Sequence, residues 1–178
     1  TTPWTIPANL AVAVNSRLDY SVVEVPASAG GGRLLVATDL VASLGTKIGL
    51  ADGEELSVLA TFKGSEITSD TTYRHPLAGR ISKVVEGGDY ITTESGTGLV
   101  HTAPGHGQED YQTGLKYDLP LLSPVDDAGR FTEEAGDAFV GKDVLGDGNS
   151  AVIEALKESG NLLSVDPYLH KYPYDWRT

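Results

Sequence analysis

The chain contains no cysteine and no methionine. Without cysteine there is no disulfide, no thiolate zinc site and no catalytic thiol. Aromatic residues are sparse, at 7% of 178 residues, and 13 basic residues face 25 acidic ones, for a formal net charge of -12. Such a charge argues against a nucleic-acid binder that works by phosphate neutralisation alone. No apolar run approaches the roughly 18 residues of a membrane span, and the start shows neither a signal peptide nor a basic amphipathic presequence. These absences suit a soluble protein or an acidic cytosolic module with no membrane partner. The 40% of hydrophobic residues suffice for a core, and the length suits one domain over residues 1–178. The ends, Thr1-Thr2-Pro3-Trp4 and Trp176-Arg177-Thr178, lack the polar look of natural termini. A fragment of a longer polypeptide is expected.

Most of the chain reads as short strands: Leu10 to Val14, Tyr20 to Val25, Arg33 to Ala37, Leu56 to Phe62, Arg80 to Val85, Asp89 to Thr93 and Thr97 to His101. Residues 27–32 predict a hairpin loop, and Glu86-Gly87-Gly88 a tight turn. Runs this short, broken by turns, predict a mainly β fold with a few short helices, a barrel or sandwich rather than a parallel βαβ sheet. Three helices are expected. Thr38-Asp39 can cap Leu40 to Leu44, with Gly45 as its stop. Gln108 to Tyr117 carries acids in its first turn. Ser150 can cap Ala151 to Ser159, which Gly160 ends. The acidic, glycine-rich stretch from Pro124 to Gly148 reads as long surface loops.

Polar chemistry concentrates in two segments. His101-Thr102-Ala103-Pro104-Gly105-His106-Gly107-Gln108-Glu109-Asp110 follows a strand and enters a helix, where backbone amides can face a ligand. His101, His106 and Asp110 offer a nitrogen and oxygen donor set that zinc accepts, although their spacing matches no metal motif. His101 or His106 could serve as a general base. Asp110 could bind a cationic group while water does the chemistry. A loop tied by its own hydrogen bonds is the plain alternative. The second segment, Thr1-Thr2-Pro3-Trp4-Thr5-Ile6-Pro7-Ala8-Asn9, packs hydroxyls around two prolines and predicts a rigid, extended stretch. It reads either as the lining of a small polar pocket or as an edge strand with exposed threonines.

Thr-Thr-Pro-Trp-Thr-Ile-Pro-Ala-Asn followed by an apolar strand resembles the threonine-rich peptide of the editing domains of isoleucyl-, valyl- and leucyl-tRNA synthetases. Gly96-Thr97-Gly98-Leu99-Val100 and the segment from His101 to Tyr111 are similar to the second editing motif of the same group. Tyr168-Leu169-His170-Lys171-Tyr172-Pro173-Tyr174-Asp175-Trp176-Arg177-Thr178 resembles the isoleucyl members, at the point where the chain leaves the inserted domain; Arg74-His75-Pro76-Leu77 agrees. One departure is Asp175, where many relatives carry a cysteine.

The resemblance implies a β-barrel-type insertion in a Rossmann-type catalytic body, and hydrolysis of valine wrongly esterified to the isoleucine tRNA. Valine lacks one methylene of isoleucine. A hydrophobic pocket gains only about 1–3 kcal/mol from that difference, for which this enzyme family is the standard illustration. A second, smaller sieve must therefore remove the error. On this likeness Asp110 takes the substrate ammonium and His101 forms the pocket wall that excludes isoleucine. Thr1, Thr2 and Thr5 supply hydroxyls to water, ester or ribose, with Asn9 as a further binding residue. Gly105 and Gly107 let the backbone approach the substrate, and His106 lies beside it. No nucleophile is evident, so a positioned water is expected, with no metal or other cofactor; ATP and Mg belong to the synthetic part of the longer enzyme. The partners implied are the acceptor end of tRNA(Ile) carrying valine, valine itself and the rest of the synthetase chain. A monomer in the cytoplasm, or in an organelle, is expected.

Overall fold

The computed structural model describes residues 1–68 and 70–167. The closing segment from Tyr168 to Thr178, with Asp175, lies outside the described residues.

Among the described residues, seven strands form two sheets. One is mixed, in the order β5-β6-β1-β7, with β1 spanning Ala11–Val14, β5 Thr72–Arg74, β6 Ile81–Glu86 and β7 Val100–Thr102. The other is antiparallel, in the order β3-β2-β4, with β2 at Asp19–Glu24, β3 at Arg33–Ala37 and β4 at Ser57–Lys63. β2 and β3 form the expected hairpin across residues 27–32. β1 and β6 pair in parallel. The chain between them holds the second sheet, two short helices, α1 (Val41–Lys47) and α2 (Gly64–Ile67), and β5, instead of one crossover helix. The mainly β class with a few short helices therefore holds, and one parallel pair is its unexpected feature.

The sheets share a core. Val14 and Val84 from the mixed sheet pack with Tyr20, Val23 and Val36 from the antiparallel one, and with Leu40 and Leu44. Tyr20 is fully buried, and its phenol is satisfied on both sides, donating to the Gly98 carbonyl at 2.7 Å and accepting from the Asn15 N–H at 2.9 Å. A smaller cluster of Ala11, Ala13, Val85 and Ile91 meets Tyr117 and Leu119, just past α3 (Gln108–Lys116).

Four expectations need correction. Asp89 to Thr93 is not a strand: Ile91 turns back, its N–H on the Gly88 carbonyl, and is buried against Ala11, Ala13 and Val85. Gly45 does not stop α1, which runs on to Lys47; Gly45 instead makes room for Leu50, which a side chain there would meet at 3.1 Å. The helix capped in expectation by Ser150, α4, starts earlier and spans Asp147–Glu158 with no side-chain cap; Asp143 organises its start, accepting the Leu145 and Gly146 N–H groups on Oδ1 and the Gly148 N–H on its carbonyl at 2.7 Å. The stretch from Pro124 to Gly148 is not a set of loose loops. Phe131, Phe139 and Val144 within it form a buried cluster with Val152 and Leu156 of α4, tied by bridges Val125–Phe131 and Arg130–Asp143. A few large apolar anchors outweigh the polar composition around them.

Candidate functional site

The threonine-rich segment is not extended. Pro3–Ala8 forms a 3₁₀ helix, with Pro3 in its first turn and Pro7 within it. Proline tolerates this because its fixed φ lies in the 3₁₀ range and a short helix needs few internal N–H donors. Coiling brings Thr5 and Asn9 toward one partner, His101 of β7. Asn9 Nδ2 lies 2.8 Å from His101 Nδ1, and Thr5 Oγ1 lies 3.0 Å from His101 Nε2. The two polar segments, more than ninety residues apart in sequence, thus meet at one imidazole.

The donor pattern fixes the state of that ring. Asn9 Nδ2 also donates to the Ala11 carbonyl at 2.9 Å, while Asn9 Oδ1 accepts from the Tyr73 hydroxyl. The carboxamide can therefore face His101 only as a donor, so Nδ1 carries the lone pair. The ring proton is on Nε2 and points to Thr5 Oγ1, which in turn donates to the Thr2 carbonyl at 2.9 Å. Burial, aided by His75 and His106, lowers the His101 pKa to about 4. His101 is a neutral ring with both nitrogens engaged.

The support beneath this arrangement comes from residues that carried no predicted role. The β5–β6 hairpin holds the end of the 3₁₀ helix by its carbonyls. His75, 2% exposed, bonds the Ile6 carbonyl through Nε2 at 2.9 Å, while its Nδ1 accepts from the Leu77 and Ala78 N–H groups. The Arg80 guanidinium donates to the Pro7 carbonyl at 2.6 Å and to the Asn9 carbonyl through both Nη2, at 2.7 Å, and Nε, at 3.1 Å. Tyr73 takes the Asn9 side chain. The one available signal was Arg74-His75-Pro76-Leu77, which resembles the family but says nothing of what its histidine touches. On the other side, Asn149 of α4 accepts the Trp4 N–H at 2.9 Å.

Asp110 stands in the first turn of α3, and its Oδ2 accepts the Ala103 N–H at 2.8 Å across the Pro104–Gly107 turn. The plain reading, a loop tied by its own hydrogen bonds, is thus part of the answer. Burial raises the Asp110 pKa, Ala103 opposes that, and Glu109 adds to it. Glu109 itself lines a separate surface cleft with Gly87, Tyr90, Gln112, Thr113 and Lys116. Gly105 and Gly107 both have reasons within the chain: a side chain at Gly105 would meet the Leu122 carbonyl oxygen at 2.5 Å, and one at Gly107 would crowd the Asp110 carboxyl at 3.1 Å. His106 packs edge-on against Trp4, ring centroids 4.9 Å apart, with its buried Nε2 unpaired and its pKa lowered by burial. Thr1 is exposed and Thr2 half-buried. Among the described residues, no group of three or more His, Asp or Glu side chains is placed to share a metal ion.

No protein-family model matches the chain. Over 181 residues, and across its whole length, it is 63% identical to the isoleucine--tRNA ligase of Nostoc punctiforme. It is 59% identical to that of Thermosynechococcus vestitus and 55% identical to the chloroplastic/mitochondrial isoleucine--tRNA ligase of Arabidopsis thaliana, again over its whole length. The chain belongs to the isoleucyl-tRNA synthetase family. It spans 18% of the length of each of these synthetases, so it corresponds to one segment of a much longer protein. The fold is that of a CP1 domain: a solved structure described as the crystal structure of GlLeuRS-CP1 matches 93% of the chain, and 81% of its own, with a TM-score of 0.67 at 16% identity. Among the described residues, no helix of this synthetase segment is long and apolar enough to cross a membrane.

Proposed function

We propose that this segment is a hydrolytic editing domain, which cleaves the ester of valine mischarged onto tRNA(Ile). The convergence of the threonine segment and the His101–Asp110 segment on one imidazole carries this reading. An aminoacyl ester needs little activation: water adds to the carbonyl carbon, the acyl C–O bond to the ribose breaks, and the ribose oxygen takes a proton. The products are valine and free tRNA, and no cofactor takes part in the step. Asp110 holds the substrate ammonium with a partly desolvated carboxylate, where a charge-assisted hydrogen bond is strong. Thr1 and Thr2 hold water, ester or ribose. Thr5, whose hydroxyl already serves Thr2 and His101, holds the wall. His106, with its orphaned Nε2, is a further contact for the substrate.

His101 acts by volume. A general base needs a free lone pair, and the only one on this ring accepts the Asn9 amide. The net charge of -12 leaves most tRNA affinity to the remainder of the synthetase, which works as a monomer in the cytoplasm or an organelle.

The test is His101→Ala, assayed on both Val-tRNA(Ile) and Ile-tRNA(Ile). Steric exclusion predicts a gain of the wrong activity, hydrolysis of the isoleucyl ester, with valine clearance partly kept, because close-packed walls yield little. Equal loss on both esters would make His101 a base and sink the assignment.

A further inference from the structure

The wall residue of a size sieve must keep one shape and one charge. A histidine is a poor choice on intrinsic grounds, since an unperturbed imidazole titrates near pH 6.5 and its ring can rotate or change tautomer. The structure supplies what the residue lacks. Asn9 would hold an imidazole equally well with its carboxamide turned the other way, presenting Oδ1 to a protonated Nδ1. Two contacts prevent that turn: the Ala11 carbonyl, which accepts only from Nδ2, and the Tyr73 hydroxyl, which donates to Oδ1. Of the two, the Ala11 carbonyl is local main chain. Tyr73 comes from β5, at the far edge of the same sheet, two strands away from β1 and three from β7.

We propose that Tyr73 is a positioning residue for substrate selectivity: through the Asn9 carboxamide it fixes His101 as a neutral ring with its proton on Nε2. The proposal rests on the editing reading for its consequence, selectivity, but its structural half stands on the hydrogen bonds alone. The groups facing this assembly agree with it. Arg80 grips the Asn9 carbonyl from β6's end of the hairpin. Burial comes first, and His75 and His106 each add to it in disfavouring a charge on His101. Tyr73 bonds both Asn9 and Ser82 and is itself held neutral, its pKa raised by burial. Among the described residues, no acidic side chain is among the groups that act on His101, and the Asn9 amide is the hydrogen-bonding partner of Nδ1 that can change direction.

The experiment measures His101 protonation directly. Deuterium exchange at histidine Cε1–H, followed by mass spectrometry across pH, reports the titration of one ring in a protein of any size, here the full synthetase chain. Wild type should show a His101 midpoint well below 6. Tyr73→Phe removes only the hydroxyl and should raise the proton affinity of His101 tenfold or more, while the ratio of isoleucyl to valyl ester hydrolysis rises as pH is lowered from 8 to 6. Asn9→Asp, which places an acceptor opposite Nδ1, should raise the midpoint further and serves if the phenylalanine variant fails to fold. An unchanged midpoint in both variants would overturn the proposal, as would a raised midpoint with an unaltered ester ratio. If the midpoints move as stated but wild type hydrolyses neither ester, the hydrogen-bonded lock stands and the editing reading falls.

Discussion

The two sheets treat their polar and apolar groups in opposite ways. Around the mixed sheet, side chains of the β5–β6 hairpin and of β7 close on the 3₁₀ helix until the Ile6 and Pro7 carbonyls and the His101 imidazole are satisfied from within the chain. In the antiparallel sheet, β4 is an edge strand exposed at nearly every position, with Val58, Leu59 and Phe62 at 53%, 46% and 40% exposure. The first region is built to hold atoms still and the second to complete a core from one side. The contrast teaches that in this chain precision is conferred by buried hydrogen-bond acceptors with matched donors, which tolerate loss badly.

The sharpest way to break that contrast is to unclamp the site. Arg80→Met keeps volume but strands the Pro7 and Asn9 carbonyls, and should cost about 3–5 kcal/mol in a denaturant melt. Next comes Asp110→Asn, which can still accept the Ala103 N–H but cannot pair an ammonium. Valine clearance should fall by a factor of about 10–100, from a lost charged hydrogen bond of about 1.5–3 kcal/mol. Stability should hold or rise slightly, because a carboxyl whose pKa the fold raises is disfavoured as an anion at neutral pH. A melt showing gross unfolding would assign Asp110 to structure alone.

Acid provides the third test. His101 has its pKa depressed to about 4, so its stabilising effect is complete above the unfolded value near 6.5 and is lost as pH falls from there toward 4. Between pH 6.5 and 5 wild type should lose about 1.6 kcal/mol more than His101→Gln, read as the difference between their denaturation midpoints. Parallel curves would refute the linkage. The smallest effect belongs to β4: Leu59→Thr should change stability by no more than about 0.5 kcal/mol. A loss as large as that of Arg80→Met would erase the distinction between the sheets.

Much of this was legible from residue order. The β2–β3 hairpin, α3 and the two motifs at the site follow from turn residues, an acidic first turn and distinctive runs. What stayed hidden has physical causes. The coil of Pro3–Ala8 is hidden because proline suits extended and coiled backbone alike, and the deciding partners lie 64 to 96 residues downstream. Phe131, Phe139 and Val144 were lost in a polar stretch because composition averages over the few side chains that bury. β5 has three residues, too short for any periodicity. Gly105 and Gly107, expected to let the backbone approach a substrate, also have a reason within the chain: a side chain at Gly105 would run into the Leu122 carbonyl oxygen, and one at Gly107 would crowd the Asp110 carboxyl. The role of Tyr73 is invisible without coordinates, since it depends on which way one amide faces.

The 3₁₀ helix has a consequence for the order in which the molecule comes together. Its first residues are synthesised before any of the groups that hold it: Tyr73, His75, Arg80, His101 and Asn149 all follow it. A six-residue 3₁₀ helix containing two prolines has little stability of its own. Closing loops of this length carries an entropic penalty that grows as the logarithm of loop length, and it must be met before the contacts form. The threonines therefore remain unstructured until the hairpin, β7 and α4 have emerged. The candidate site is therefore among the last parts of this segment to take shape, although its threonines come first in the segment's order.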